Sequence, residues 1–100
     1  MITRLQAEDV LRRLRRKRRK EFSSHDFIKV YCSQYEREYI DWLISKSGRG
    51  RAFQTVHSQI GRFLMRNEGK ITPAYRHTER YDSETVHGTI DQPMWWEWDR

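Results

Sequence analysis

AFQTVHSQIGRFLMRN, residues 52–67, is the most regular amphipathic segment of this 100-residue chain. Its apolar side chains recur at the three- and four-residue steps that place them on one face of a helix. These side chains are Phe53, Val56, Ile60, Phe63 and Leu64. Asn67 and Gly69 then supply a stop signal. The pattern predicts a helix from about Ala52 to Arg66 that buries the apolar stripe.

The opposite face of this predicted helix contains only uncharged polar and basic side chains. They are Gln54, Thr55, Ser58, Gln59, Arg62 and Arg66. Glutamine can pair with adenine, arginine with guanine, and serine or threonine with phosphate oxygens. An ordinary solvated helix mixes Glu with Lys, whereas no carboxylate interrupts this face before Glu68. The face therefore indicates a nucleic-acid contact, and a polar face without a partner is the alternative.

The segment before this helix, SKSGRGR at 45–51, is basic and contains two glycines. This composition is typical of a flexible loop. We expect Lys46, Arg49 and Arg51 to hold phosphates where the helix begins, because the positive end of the helix dipole also favours anions.

The first half of the chain has two helix start signals. Thr3 and Gln6 have the spacing of a capping box, so a helix is expected to begin near residue 4. Leu5, Val10, Leu11 and Leu14 are expected to line its buried side. Ser23 and Asp26 repeat the capping signal.

Phe22 and Phe27 occupy the two positions of a hydrophobic staple around this second start. Apolar residues continue at helical spacing through residues 24–45. One long helix would fit that spacing, but we favour two helices with a joint near Cys32 and Ser33, where Ser33 begins another capping-box pattern.

The stretch LRRLRRKRRK, residues 11–20, contains eight basic residues. On a helix these charges surround the axis and repel one another, so they suit sequence-independent attraction to phosphates. The candidate contacts are Arg12, Arg13, Arg15, Arg16 and Lys17. A solvated tail, a structured RNA partner and an anionic membrane surface are alternatives, the last weakened by the few large apolar residues beside the charges.

The last third of the chain changes character. YRHTERY at 75–81 and ETVHGTI at 84–90 have the composition of short strands around a turn near Asp82 and Ser83. Arg76 and Arg80 would lie on this hairpin. MWWEW at 94–98 is expected to close one end of a small core, because indole rings bury a large area. A surface for a protein partner, or base stacking on an exposed ring, is the alternative.

Several helices, an amphipathic helix late in the chain and then a β-hairpin form an order that resembles the winged helix-turn-helix superfamily. The resemblance implies a mainly α fold with a small C-terminal β-hairpin, of the α+β class. It implies one winged-helix-like domain of three to four helices over residues 22–100, and the basic run predicts a basic N-terminal helix or arm at 1–21 before it. It also implies that the helix at 52–66 enters the DNA major groove and that the hairpin, the wing, touches the adjacent backbone.

Charge is segregated along the chain. Residues 1–21 carry nine basic and three acidic groups, and residues 45–76 carry seven basic and one acidic group. The two other blocks, 22–44 and 77–100, are net acidic. A local positive field of this kind suggests a polyanionic partner.

The sequence also argues against disulfide bonds, a membrane span and a metal site. Cys32 is the only cysteine, which excludes intramolecular disulfides and favours a reducing, cytoplasmic location. No apolar run is long enough for a membrane span. The four histidines lack metal-binding spacings, so no metal or other cofactor is expected.

The leading hypothesis is a small non-enzymatic nucleic-acid-binding protein, a regulator or accessory factor, with DNA favoured over RNA. The second is a protein-interaction module that uses basic and acidic, Trp-rich surfaces to bind an acidic protein or a second copy of itself. The third is a nucleic-acid-processing enzyme that uses His25 with Asp26, or His77 with Glu79, although no motif sets the geometry of either pair.

Overall fold

The computed structural model describes residues 1–73 and 80–98. In these ranges it contains four α-helices, which are α1 (Arg4–Lys17), α2 (Ser24–Gln34), α3 (Glu36–Ser45) and α4 (Ala52–Arg66). A short 3-10 helix, Ser47–Arg49, lies between α3 and α4. The strands are β1 (Glu21–Ser23), β2 (Ser83–Glu84), β3 (Ile90–Asp91) and β4 (Trp95–Glu97). The fold is mainly α with a small C-terminal hairpin, which confirms the predicted α+β class.

The core lies between α1, α2 and α4, because each of these helices turns an apolar stripe inward. Its best-buried helical side chains are Val10, Leu14, Phe27, Tyr31, Val56, Ile60 and Leu64. Burying a large aliphatic or aromatic side chain stabilises the fold by about 1.5–3 kcal/mol. The bounds predicted for α4 are confirmed, since its stripe is long and unambiguous.

Two apolar side chains predicted to face inward do not. Leu5 is 78% exposed and Phe53 is 45% exposed. Leu5 precedes the buried Ala7 by two positions, which is about 200° around the helix axis, so it lies on the solvent side of α1. Phe53 lies at the border of the buried stripe of α4, where its ring packs edge-on against His87 with the ring centroids 4.4 Å apart.

Two of the three predicted capping boxes are confirmed. Thr3 Oγ1 accepts a hydrogen bond from the Gln6 backbone N–H at 3.2 Å, and Gln6 Oε1 accepts one from the Thr3 N–H at 3.1 Å. Ser23 and Asp26 make the same reciprocal pair at 3.1 and 2.9 Å. A helix cap of this type contributes about 0.5–2 kcal/mol to stability. The starts of α1 and α2 are therefore fixed by local sequence.

The joint between α2 and α3 lies at Tyr35, two to three residues after the predicted position. The backbone of Tyr35 is non-helical, with φ −119° and ψ 50°, and Ser33 does not cap α3. The Tyr35 hydroxyl donates a hydrogen bond to Asp9 Oδ2 of α1 at 2.8 Å. The two-helix prediction is confirmed, and the helix ends where a side chain bonds to α1.

The pairing of β1 with β4 was not predicted. The two strands are antiparallel, with Phe22 opposite Trp96. Both side chains are fully buried, and their rings stack with centroids 5.5 Å apart. Trp96 Nε1 donates a hydrogen bond to Glu68 Oε2 at 3.1 Å, which satisfies the buried indole N–H. The prediction that the tryptophans close one end of the core is confirmed.

The hairpin formed by β2 and β3 turns later than predicted. Glu84 pairs with Ile90, so residues 85–89 form the turn and Ser83 belongs to a strand. Gly88 has a positive φ of 81°, which glycine adopts without a steric penalty. Thr85 Oγ1 accepts hydrogen bonds from the backbone N–H groups of His87 and Thr89. The placement of the turn near Asp82 and Ser83 is wrong, and most of the strand predicted at 75–81 lies outside the described residues.

Candidate nucleic-acid interface

The solvent-facing side of α4 forms a continuous stripe. Gln54, Ser58 and Arg62 follow one another at four-residue steps and are all exposed, as is Arg66 one turn later. We call these four residues the α4 face. No residue of α4 is acidic, and within the described ranges no carboxylate forms an ion pair with Arg62 or Arg66. The α4 face therefore presents hydrogen-bonding groups and positive charge together.

Two residues predicted for this face are less accessible. Thr55 is half-buried. Gln59 is half-buried as well, and its Oε1 accepts a hydrogen bond from Trp42 Nε1 of α3 at 3.1 Å. The prediction that Gln59 points freely outward is wrong, because the indole N–H of the nearly buried Trp42 needs a partner and the amide of Gln59 supplies it. Gln59 therefore joins α4 to α3.

An open groove of about 670 Å³ separates α4 from the β2–β3 hairpin. Its lining includes Gln54, Ser58 and Arg62 of α4, Arg80, the hairpin residues His87 and Asp91, and the first turn of α2. The contact between Phe53 and His87 places the turn of the hairpin beside the first turn of α4. We call this cleft the α4–hairpin groove.

The start of α4 has the features expected of an anion site at a helix N-terminus. Arg51 is the N-cap residue and makes no side-chain capping bond, and no acidic residue lies in the first turn. The first N–H groups of α4 are thus not satisfied by a capping side chain. Lys46 and Arg51 are exposed nearby in sequence, and Arg49 lies in the 3-10 helix Ser47–Arg49. Arg76, which was also predicted as a contact, lies outside the described residues.

His57 lies on the groove side of α4 and is held in its neutral form. Burial lowers the pKa of His57 to about 4, with the neighbouring His87 and His25 adding to the effect. The Tyr39 hydroxyl lies 2.6 Å from His57 Nε2, and burial raises the pKa of Tyr39. At neutral pH the Tyr39 hydroxyl is therefore protonated and can donate to the unprotonated ring nitrogen.

We expect this histidine to make the fold sensitive to mild acid. Because the pKa of His57 falls from an ordinary value of 6.5 to about 4 on folding, the unfolded chain binds the extra proton more readily between these two values. The free energy of unfolding should then fall as the pH drops from about 6.5 to 4. Urea unfolding followed by circular dichroism at several pH values measures the effect. The variant His57→Gln should show a smaller loss over the same pH range, and an equal loss would contradict the assignment.

The basic end of α1 is part of the folded structure. α1 remains helical to Lys17, and the predicted contacts Arg12, Arg13, Arg15, Arg16 and Lys17 are all exposed. The next residues are held by Trp98, whose Nε1 donates to the Arg18 carbonyl and whose backbone N–H donates to the Lys20 carbonyl at 3.2 Å. The guanidinium of Arg15 also lies over the Trp98 ring, 5.4 Å from its centroid. Trp98, one residue beyond β4, therefore holds the C-terminal end of α1 in place.

Sequence reasoning did not anticipate this contact between the basic end of α1 and Trp98. Neither the basic run nor the tryptophan cluster indicates a partner, and they lie about eighty positions apart, as the contact between Arg18 and Trp98 illustrates. Trp95 and Trp96 are buried, and Trp98 is partly buried against the core. Little tryptophan surface is left for the Trp-rich interaction surface considered from the sequence.

Comparisons of the chain with protein-family models, with curated proteins and with solved structures found no match. Within residues 1–73 and 80–98, no three histidine, cysteine or acidic side chains come together as a metal site. In that part of the chain, no helix combines the length and the apolar character needed to cross a membrane.

Proposed function

We propose that this protein is a non-enzymatic DNA-binding domain of the winged-helix type, a regulator or accessory factor. In this proposal α4 lies in the major groove of the duplex and the β2–β3 hairpin is the wing. The order of the elements and the position of the hairpin turn beside the first turn of α4 support this arrangement.

The observation that carries the proposal is the α4 face. Glutamine, serine and arginine at successive turns can reach base edges from a helix seated in the major groove, which is about 12 Å wide. The four exposed hydrogen-bonding residues share their helix with no carboxylate, so α4 itself does not repel the phosphate backbone. Asp91, the carboxylate that lines the groove from the hairpin, lies 3.5 Å from His25 Nε2. A helix that served only solubility would gain from acidic residues at these positions.

Phosphate contacts would flank this face on two sides. Arg51 is the N-cap residue of α4, where the helix dipole adds to its charge, and the exposed Lys46 lies five positions earlier at the end of α3. Arg80 and Arg62 both line the α4–hairpin groove, so their two guanidinium groups could contact one strand of the duplex backbone. Contacts of this kind position the protein without reading sequence.

The basic end of α1 would add a sequence-independent contact. Its arginines and lysine are exposed on an ordered helix, and they attract phosphates whatever the base sequence. This contribution increases the rate of association and makes binding more sensitive to salt.

A protein-interaction module is the second candidate. The observation in its favour is an exposed apolar pair on α3, Ile40 and Ile44, which are 44% and 65% exposed and lie one turn apart. These apolar side chains offer no charge or hydrogen-bonding group to DNA. Light scattering across a range of protein concentrations tests for self-association through it, and an association lost in Ile44→Ser would favour this candidate.

Salt-dependent binding to a short duplex tests the proposal directly. We expect the nuclease-treated protein to bind a duplex of roughly two helical turns, with log K falling linearly with log salt by about 0.9 for each phosphate contact. Protein purified without nuclease should carry nucleic acid that absorbs at 260 nm. Absence of binding to DNA at about 50 mM salt would contradict the proposal, and preferential binding to RNA would overturn its DNA assignment.

A further inference from the structure

A second cleft, on the other side of α2, has the composition of a phosphate-binding groove. Arg13 and Lys17 of α1 and Lys29 of α2 line it, together with the neutral side chains of Val30, Ser33 and Gln34. Its volume is about 220 Å³. None of the lining residues is acidic. We call it the α1–α2 groove.

The cations of this groove are held at a spacing that suits a nucleic-acid strand. Arg13 and Lys17 are one turn apart on α1, which corresponds to about 6 Å along the axis. A single strand of B-DNA carries one phosphate per about 3.4 Å of axial rise, so these two side chains can reach alternate phosphates. Because α1 is anchored on both sides by buried leucines and by Trp98, this spacing is maintained before any ligand binds.

The carboxylates near the groove are already engaged. Asp9 accepts hydrogen bonds from Gln34 Nε2, from the Tyr35 hydroxyl at 2.8 Å and from Arg12 at 3.3 Å. The Tyr35 hydroxyl holds the pKa of Asp9 below its usual value, with Arg12 and Arg13 acting in the same direction. Glu84 lies 4.0 Å from the Lys29 ammonium, but both side chains are substantially exposed, so this pair is weak. The groove therefore keeps a net positive charge.

The two grooves open on different sides of α2. His25 lines the α4–hairpin groove and Gln34 lines the α1–α2 groove. They are nine positions apart, which is about 2.5 helical turns and places them on opposite sides of the helix. The hairpin carboxylates Glu84 and Asp91 are exposed and would repel a phosphate backbone that ran from one groove to the other.

We propose that the α1–α2 groove holds a second segment of double-stranded DNA while the α4 face holds the first, so that one molecule of this protein bridges two duplexes. The inference rests on the proposed function for the α4 face and adds a second, sequence-independent site. The second duplex would be bound by its backbone alone, because the groove offers cations and no row of base-reading side chains.

A two-duplex capture experiment tests this inference. One duplex is immobilised on beads, the protein is bound to it, and a second, fluorescent duplex is added. We expect wild-type protein to retain the fluorescent duplex, and the double variant Arg13→Gln with Lys17→Gln to retain about tenfold less. The matched control, Arg37→Gln with Lys70→Gln, removes two exposed charges outside both grooves and should retain the wild-type amount.

The outcomes distinguish failure of this inference from failure of the proposed function. Binding to a single duplex without bridging would overturn this inference and leave the proposed function intact, whereas no binding to any duplex would remove both. Undiminished capture by the Arg13 and Lys17 variant would also overturn it, because bridging would then arise from self-association. Sedimentation velocity should give two duplexes per wild-type protein and one per variant, and circular dichroism verifies that the variant is folded.

Discussion

Replacement of Arg51, Arg62 and Arg80 by glutamine is expected to weaken duplex binding by on the order of 100-fold at moderate salt. Each of these arginines borders the α4 face or the α4–hairpin groove. A charge-assisted hydrogen bond to phosphate contributes about 1.5–3 kcal/mol before screening, and 1.4 kcal/mol corresponds to a factor of ten in Kd. The loss should arise from three such contacts acting together.

Fluorescence anisotropy with a labelled duplex, repeated over a series of salt concentrations, measures this effect. The slope of log K against log salt should decrease in magnitude by about 0.9 for each contact removed. The matched control is the triple variant Arg4→Gln, Arg37→Gln and Lys70→Gln, which removes the same charge from exposed positions outside the proposed sites. If the control loses as much affinity as the α4 variant, binding depends on net charge and the α4 face is not the contact.

The largest loss of stability is expected for Phe22→Ala. Phe22 is fully buried, lies opposite Trp96 in the strand pair, and also contacts the Trp98 ring with centroids 4.5 Å apart. Truncation of a buried phenylalanine to alanine costs about 3–5 kcal/mol because it leaves a cavity. A single domain has only about 5–15 kcal/mol of total stability, so the variant should be largely or partly unfolded at physiological temperature.

Phe53→Ala is the matched control for Phe22→Ala. It makes the same chemical change at a side chain that is 45% exposed, so we expect a cost below about 1 kcal/mol. Urea unfolding followed by tryptophan fluorescence measures both variants. Similar losses for the two variants would mean that the burial pattern of β1, β4 and α4 has been misassigned.

Local patterns predicted the helices because the physical causes are local. The α4 stripe recurs at the helical period over fifteen residues, and the capping boxes of α1 and α2 need only residues three positions apart. The hairpin turn was misplaced by a few residues, because two polar segments competed and only the second contains a glycine able to adopt a positive φ.

The missed strand pair and the misjudged exposure of Gln59 come from interactions between distant parts of the chain. β1 is three residues long and its partner lies more than seventy positions away, so no local pattern could indicate it. The position of Gln59 around the axis of α4 is that of an exposed residue, but Trp42 Nε1 of α3 donates a hydrogen bond to its amide oxygen. A helical wheel gives a direction around one axis and does not reveal which neighbouring element lies in that direction.

The candidate site, too, has a part that depends on local sequence and a part that depends on contacts between distant elements. The composition of the α4 face could be predicted from the sequence, since it depends on a single helix. The α4–hairpin groove and the α1–α2 groove could not, because each is formed by residues of separate elements. The anchoring of the C-terminal end of α1 is likewise a consequence of contacts with Trp98.

Chemical-shift mapping of the ¹⁵N-labelled protein during titration with a short duplex tests the central assignment most directly. Binding should shift the backbone and side-chain signals of Gln54, Ser58 and Arg62 most strongly at the first equivalents, with those of Arg80 and the hairpin turn following. Shifts confined to α3, or an α4 face whose signals stay unchanged at saturation, would contradict the assignment of α4 as the DNA-contacting helix.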